Sequence, residues 1–303
     1  MIRARLFAAL MTVLPQHGLS RLVHRLARWR WRPWKNALIR GFIKAYHINM
    51  GEAVSTEPDS YASFNAFFTR ALAPGKRPIK TDLGTILSPV DGAVSQFGTI
   101  ESGRLIQAKG RHYTLDALLG GDPSLTAAFT EGRFATLYLS PRDYHRVHMP
   151  CAGTLQRMLH VPGRLFGVST PLVAQVPRLY ARNERVISLF ETDAGPLAVI
   201  LVGAIGVGSI ETVWAGEVTP PRGQRIRSWD MRNQAIELAA GEEMGRFNLG
   251  SSVILLLPPD ANVTWHETIA LEAPVRLGQP MAELADAEAD SGAIPGESHD
   301  GLE

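Results

Sequence analysis

Leu249-Gly250-Ser251-Ser252-Val253-Ile254-Leu255-Leu256-Leu257 joins a small polar junction to five consecutive aliphatic residues, directly after the polar stretch 241–247. A short apolar run of this kind, bounded by turn-forming residues, predicts a buried strand. Comparable runs recur at 134–139, 186–190, 197–202 and 205–210, separated by Gly, Pro and Asp. Their spacing predicts a largely antiparallel β core. Before them the texture is helical. A helix is predicted over 63–72, with Phe64, Phe67 and Phe68 on one face and a stop at Pro74-Gly75. The expected class is α+β: amphipathic N-terminal helices followed by a β-sandwich or barrel-like core.

The junction also carries chemistry. A serine hydroxyl after a glycine can attack that glycine's own carbonyl, because no side chain blocks the approach and glycine tolerates the backbone the attack requires. The peptide bond becomes an ester. Removal of the serine α-proton then expels the ester, and the dehydroalanine left behind hydrolyses to a pyruvoyl group on the new amino terminus. A Gly-Ser pair alone more often marks a turn or a strand entry. Ser88-Pro89-Val90-Asp91-Gly92 and Tyr144-His145-Arg146-Val147-His148-Met149-Pro150 supply partners: an acid and two imidazoles, in the chain order Asp, His, Ser. Asp91 alone reads equally as a turn former, and His145 and His148 as core histidines or metal ligands. Metal is the weaker reading, since no acidic or sulfur ligand accompanies the pair in sequence.

The segments PVDG, YHRVHMP and GEEMGRFNLGSS, in this order, are similar to those of bacterial, membrane-associated phosphatidylserine decarboxylases. The likeness extends to Ser63–Arg70, 161–166 and 181–185, and so spans residues 60 to 257. One departure stands out: Ser252 occupies a position where the family usually has threonine, and serine keeps the hydroxyl. The resemblance implies self-cleavage between Gly250 and Ser251 into a β chain of 1–250 and an α chain of 251–303, held together without a covalent bond. It implies a charge relay of Asp91, His148 and Ser251, with His145 as proton donor in the decarboxylation. It further implies a covalent pyruvoyl cofactor made from Ser251, which forms a Schiff base with phosphatidylserine and releases carbon dioxide and phosphatidylethanolamine. No metal is called for.

Composition bounds the rest. The 303 residues are 45% hydrophobic, enough for a sizeable core, and the single cysteine, Cys151, excludes an intramolecular disulfide and a thiolate metal cluster. The net charge of +2 hides polarity: residues 1–44 hold Arg3, Arg5, Arg21, Arg25, Arg28, Arg30, Arg32, Lys35, Arg40 and Lys44 and no acid. Leu19, Leu22, Val23 and Leu26 recur at helical spacing, and Trp29, Trp31 and Trp34 follow. A basic amphipathic helix with tryptophans predicts attachment to an anionic membrane surface, expected on the cytoplasmic side, rather than packing on the core or binding nucleic acid. A signal peptide over 6–14 is disfavoured, because no small-residue cleavage site follows. Runs of glycine at 203, 206 and 208 and the pair Gly75-Lys76 lack the spacing of nucleotide-binding loops.

The expected division is a membrane-association region of 1–75, a catalytic core of 76–281 and an acidic tail of 282–303. The expected partners are phosphatidylserine, the anionic membrane and the two chains of one precursor as a heterodimer; assembly beyond that stays open. Two alternatives remain at this stage: a pyruvoyl decarboxylase of a soluble amino acid, and a membrane-bound β module that never cleaves.

Overall fold

The computed structural model describes residues 14–79, 84–108, 110–206, 209–219, 224–248 and 250–284. Helix α1 (Gln16–Arg28) and helix α2 (Arg32–Tyr46) open the described chain, followed by the short helix α3 (Phe64–Phe68). Pro33 sits in the first turn of α2, where its fixed φ suits the helix and its missing N–H costs nothing. Ala27, Ile39, Ile48, Phe64, Phe67 and Phe68 form a small core of their own, with Phe42 edge-on to the three phenylalanines.

Helix α3 is shorter than the expected span 63–72. Ser63 caps it by accepting from the Ala66 N–H at 3.1 Å. At the other end the chain leaves the helix at Thr69 and becomes extended, so that Leu72 can pair with Ala53. Tertiary pairing overrides the local tendency here.

The β region is antiparallel in every named strand pairing. Its largest sheet has nine strands, eight of them in the order Arg227–Asp230, Gly153–Val161, Arg185–Thr192, Gly195–Val202, Ser251–Leu257, Arg133–Leu139, Gly92–Thr99, Pro274–Val275; Glu237–Leu238 pairs beside Gly153–Val161. The sheet is open, and no barrel closes. A four-stranded sheet carries Arg146–His148 next to Glu243–Phe247, and a three-stranded one carries Pro280–Leu284 between Thr85–Leu87 and Val263–Trp265. One continuous apolar core contains residues of all three.

Ser251–Leu257 is central, paired to Leu139 through Arg133 on one side and to Val202 through Ala198 on the other. All seven residues are buried, which is why the run is continuously apolar after the two serines. The expected strand over 205–210 takes another form: Ile205 and Gly206 turn, with Gly206 at φ +80°, and the strand there is Ile210–Thr212. Residues 282–284, placed in the acidic tail by composition, belong to the strand Pro280–Leu284. Residues 285–303 lie outside the described residues, as do 1–13, where most of the weighed signal segment falls.

Candidate active site

Ser251 is the first residue of a central strand, not part of a turn. It is fully buried, and its hydroxyl has no hydrogen-bond partner. An orphaned buried hydroxyl costs free energy and calls for a reason. The residue before it, Gly250, sits in open packing: a β-carbon built there would lie 3.7 Å from Nε2 of His145 and 3.7 Å from the Leu139 carbonyl oxygen, ordinary contact distances.

His145 faces that junction. It is fully buried, its ring stacked 4.1 Å from that of Phe68 on α3. Its Nδ1 lies 2.8 Å from the Asp143 carbonyl oxygen, which can only accept, so Nδ1 carries the proton and Nε2 keeps a lone pair. That Nε2 has no partner. Burial drives the imidazole down to about 3, so His145 is neutral at physiological pH.

His148, at the end of the strand Arg146–His148, has both ring nitrogens engaged. Nδ1 donates to the Gly241 carbonyl at 2.8 Å, and Nε2 accepts from the Tyr144 hydroxyl at 3.1 Å. Its pKa is lowered, chiefly by burial. Asp91 is held by Arg77, whose Nε and Nη2 reach its two oxygens at 2.9 and 2.5 Å, and by the Leu277 N–H at 2.9 Å. Arg77 also donates to Glu52 at 2.8 Å and is held charged, mainly by the bond to Asp91. In both histidines burial outweighs the opposing charge of Asp91. The structure brings His145 to the junction, while no hydrogen bond joins Asp91 to His148 or His148 to Ser251. Gly92 explains itself sterically: a β-carbon would stand 2.5 Å from the Tyr138 carbonyl oxygen.

Residues without an assigned role in the sequence reading complete the site. Asn248, 1% exposed, accepts at Oδ1 from the Asn65 amide at 3.0 Å, and its own amide bonds Ser209, tying α3 to the cleavage loop. Arg146 donates to the Thr69 carbonyl at 2.9 Å and pairs with Glu243 at 2.8 Å. A cavity of about 1140 Å³ has a wall that includes Arg70, Arg77, Asp91, Tyr138, Asp143 and Tyr144. Tyr138 pairs with Ser252 in the sheet, and Asp143 and Tyr144 precede His145 in the chain. These contacts join segments far apart in the chain: Asn65, Arg70, Tyr144, Arg146, Glu243 and Asn248 lie inside the quoted motifs, whereas Arg77 and Asp143 carried no signal in the sequence. Among the described residues, no group of three or more His, Cys, Asp or Glu is arranged to hold a metal.

A large cavity with a clamped carboxylate on its wall, together with buried histidines of lowered pKa and a buried, unpartnered hydroxyl, is the architecture of an enzyme. The comparisons make the class specific. A family model described as phosphatidylserine decarboxylase matches residues 64–283, and a second, described as PSD, matches 6–47. Proteins called phosphatidylserine decarboxylase proenzyme are 54% identical in Methylococcus capsulatus (90% of this chain, 95% of the relative), 53% in Shewanella baltica (92% and 96%) and 52% in Pseudomonas putida (94% and 100%). The chain belongs to the phosphatidylserine decarboxylase family.

Proposed function

We propose that the chain is a proenzyme that cuts itself between Gly250 and Ser251 and then converts phosphatidylserine to phosphatidylethanolamine and carbon dioxide. The observation that carries this reading is the buried, unpartnered Ser251 hydroxyl beside an uncrowded Gly250, faced by the free Nε2 of a neutral histidine. Ser251 attacks the Gly250 carbonyl, the amide becomes an ester, and loss of the Ser251 α-proton expels Gly250 as a carboxylate. Hydrolysis of the resulting dehydroalanine releases ammonia and leaves the pyruvoyl group.

Two protons must be taken in this sequence, one from the hydroxyl and one from the α-carbon. His145 is placed to take a proton at the junction, its Nε2 free and its ring fixed by Phe68 and the Asp143 carbonyl. In the charge relay, the Gly241 carbonyl orients His148 and the charge of Asp91 supports its protonated form, with Nε2 reaching Ser251 after releasing the Tyr144 hydroxyl. The geometry fits a group built from Ser251: the residue is buried, its hydroxyl and Nε2 of His145 have no partners, and a β-carbon's worth of room surrounds Gly250. Once formed, the pyruvoyl carbonyl supplies the electron sink that holds the substrate amine while the carboxylate leaves. His145 then returns a proton to the substrate α-carbon.

The cut would leave the α chain in place. Ser251–Leu257 stays hydrogen-bonded on both flanks, and 263–284 supplies strands to two sheets containing β-chain residues. We assign residues 1–75 to membrane attachment and 76–281 to catalysis. Helix α1 docks through its small and polar side: Gln16, Ser20 and Ala27 are buried, Gln16 accepts from the Leu165 N–H at 2.8 Å, and His24 and Arg28 reach Glu217 at 2.8 Å. Its apolar side looks out, with Leu19 and Leu22 38% and 53% exposed, next to Trp29 and Trp31 at 49% and 56%. Leucines turned to the outside among arginines suit an anionic bilayer better than a protein core. No helix among the described residues is long and apolar enough to cross a membrane; we assign the chain to peripheral attachment at the cytoplasmic face on the basic, leucine- and tryptophan-bearing surface of α1.

An intact mass spectrum under denaturing conditions tests the reading. Two chains split at Gly250 and Ser251, the smaller with a blocked amino terminus of pyruvoyl mass, are expected. A single stable chain that releases no carbon dioxide from phosphatidylserine would overturn it.

A further inference from the structure

Arg70 stands on the wall of the large cavity with nothing to bind. It is 6% exposed, yet among the described residues no hydrogen bond or ion pair ends on its guanidinium, and its Nε is buried without a partner. Its one packing contact through charge is the Phe67 ring, 5.3 Å below the guanidinium carbon. The carboxylates whose charge it feels are already claimed: Asp91 by Arg77 and the Leu277 N–H, Glu52 by Arg77. The other buried arginine among the described residues is satisfied. Arg185, 1% exposed, donates to the carbonyls of Ala117, Leu118, Ala181 and Asn183. A buried, unpaired cation is costly, and burial lowers its pKa accordingly. A guanidinium kept this way beside an open cavity awaits an anion.

We propose that Arg70 holds the phosphodiester of the lipid headgroup. The substrate brings two anions, the phosphodiester and the carboxylate that departs as carbon dioxide. An arginine forked onto the departing carboxylate would stabilise the ground state more than the transition state and slow the loss of carbon dioxide. The phosphodiester keeps its charge throughout, so binding it lowers KM without a penalty at the chemical step. Arginine's planar donor fork also matches a phosphodiester's two free oxygens. The side chain is carried by the segment following α3, whose Phe68 packs on His145, so one segment positions both headgroup and histidine.

The inference rests on the decarboxylase reading, and the test separates the two. Processed wild-type enzyme, Arg70→Gln and Arg70→Lys are assayed in mixed micelles with phosphatidylserine and with its neutral phosphate methyl triester. Wild type is expected to favour the diester by about 10- to 100-fold in kcat/KM, almost wholly through KM. Arg70→Gln is expected to erase that preference while leaving kcat within about twofold, and Arg70→Lys to retain part of it. Wild type turning over the triester as efficiently as the diester overturns the inference without recourse to any variant, so a poorly folding variant does not shelter it. So does an Arg70→Lys chain whose KM rises equally for both substrates, or an Arg70→Gln chain that keeps the preference. If wild type neither splits at Gly250 nor releases carbon dioxide, the decarboxylase reading fails and this inference falls with it. If wild type does both and Arg70→Gln still discriminates, only the phosphodiester assignment fails.

Discussion

Nε2 of His145 lies close to Gly250: a β-carbon on that glycine would stand 3.7 Å away. The distance is an ordinary contact, so folding does not demand glycine at this position, whereas the proposed self-cleavage does. Gly250→Ala is therefore expected to fold with an unchanged melting temperature but to cleave itself at least about tenfold more slowly, because the methyl crowds attack on the carbonyl. Thermal denaturation and a gel time course check the two halves; rapid cleavage of the alanine chain would refute the argument.

Ser251→Ala should abolish cleavage and decarboxylation together. Since the hydroxyl it removes is buried and unpartnered, the uncut chain should be as stable as the precursor or more so, by up to about 1 kcal/mol. A clear loss of stability in denaturant would show that the hydroxyl has a structural partner.

The two histidines can be separated with hydroxylamine, which cleaves an ester but not an amide. If His145 takes the first proton, His145→Ala stays whole with or without hydroxylamine. Tyr144→Phe frees Nε2 of His148 and should cleave at least as fast as wild type. A His145→Ala chain that hydroxylamine splits at residue 250 would move the first step to His148.

Acid should weaken the fold through His145. Its imidazole is lowered from an ordinary value of 6.5 to about 3, so below pH 6.5 the unfolded chain takes up a proton that the folded chain refuses. Stability is complete above that value and falls on acidification toward pH 3, by at most about 1.4 kcal/mol per pH unit, and His148 acts in the same sense. Denaturant titrations of the Ser251→Ala precursor between pH 7 and 4, with and without His145→Asn, measure the slope. Identical slopes would remove His145 as the cause.

Leu22→Glu and Trp31→Ala alter side chains that are 53% and 56% exposed, so each should leave the melting temperature in place. Each should weaken sedimentation with anionic vesicles by about tenfold, and added salt should weaken it further. Unimpaired vesicle binding in the double variant would locate the membrane contact elsewhere.

Much of this protein was legible from one dimension. The junction at 249–252, PVDG and YHRVHMP carry their chemistry in residue type and order, and the strand Ser251–Leu257 follows from an unbroken apolar run. Tertiary structure decided the rest, because it depends on contacts between segments far apart in sequence. Only folding shows that Arg77 clamps Asp91, that the Asp143 carbonyl sets the tautomer of His145 while Phe68 packs on its ring, and that Tyr144 occupies His148. Only folding turns the leucines of α1 outward and leaves Arg70 without a partner, since burial and pairing are properties of neighbours that no local pattern specifies.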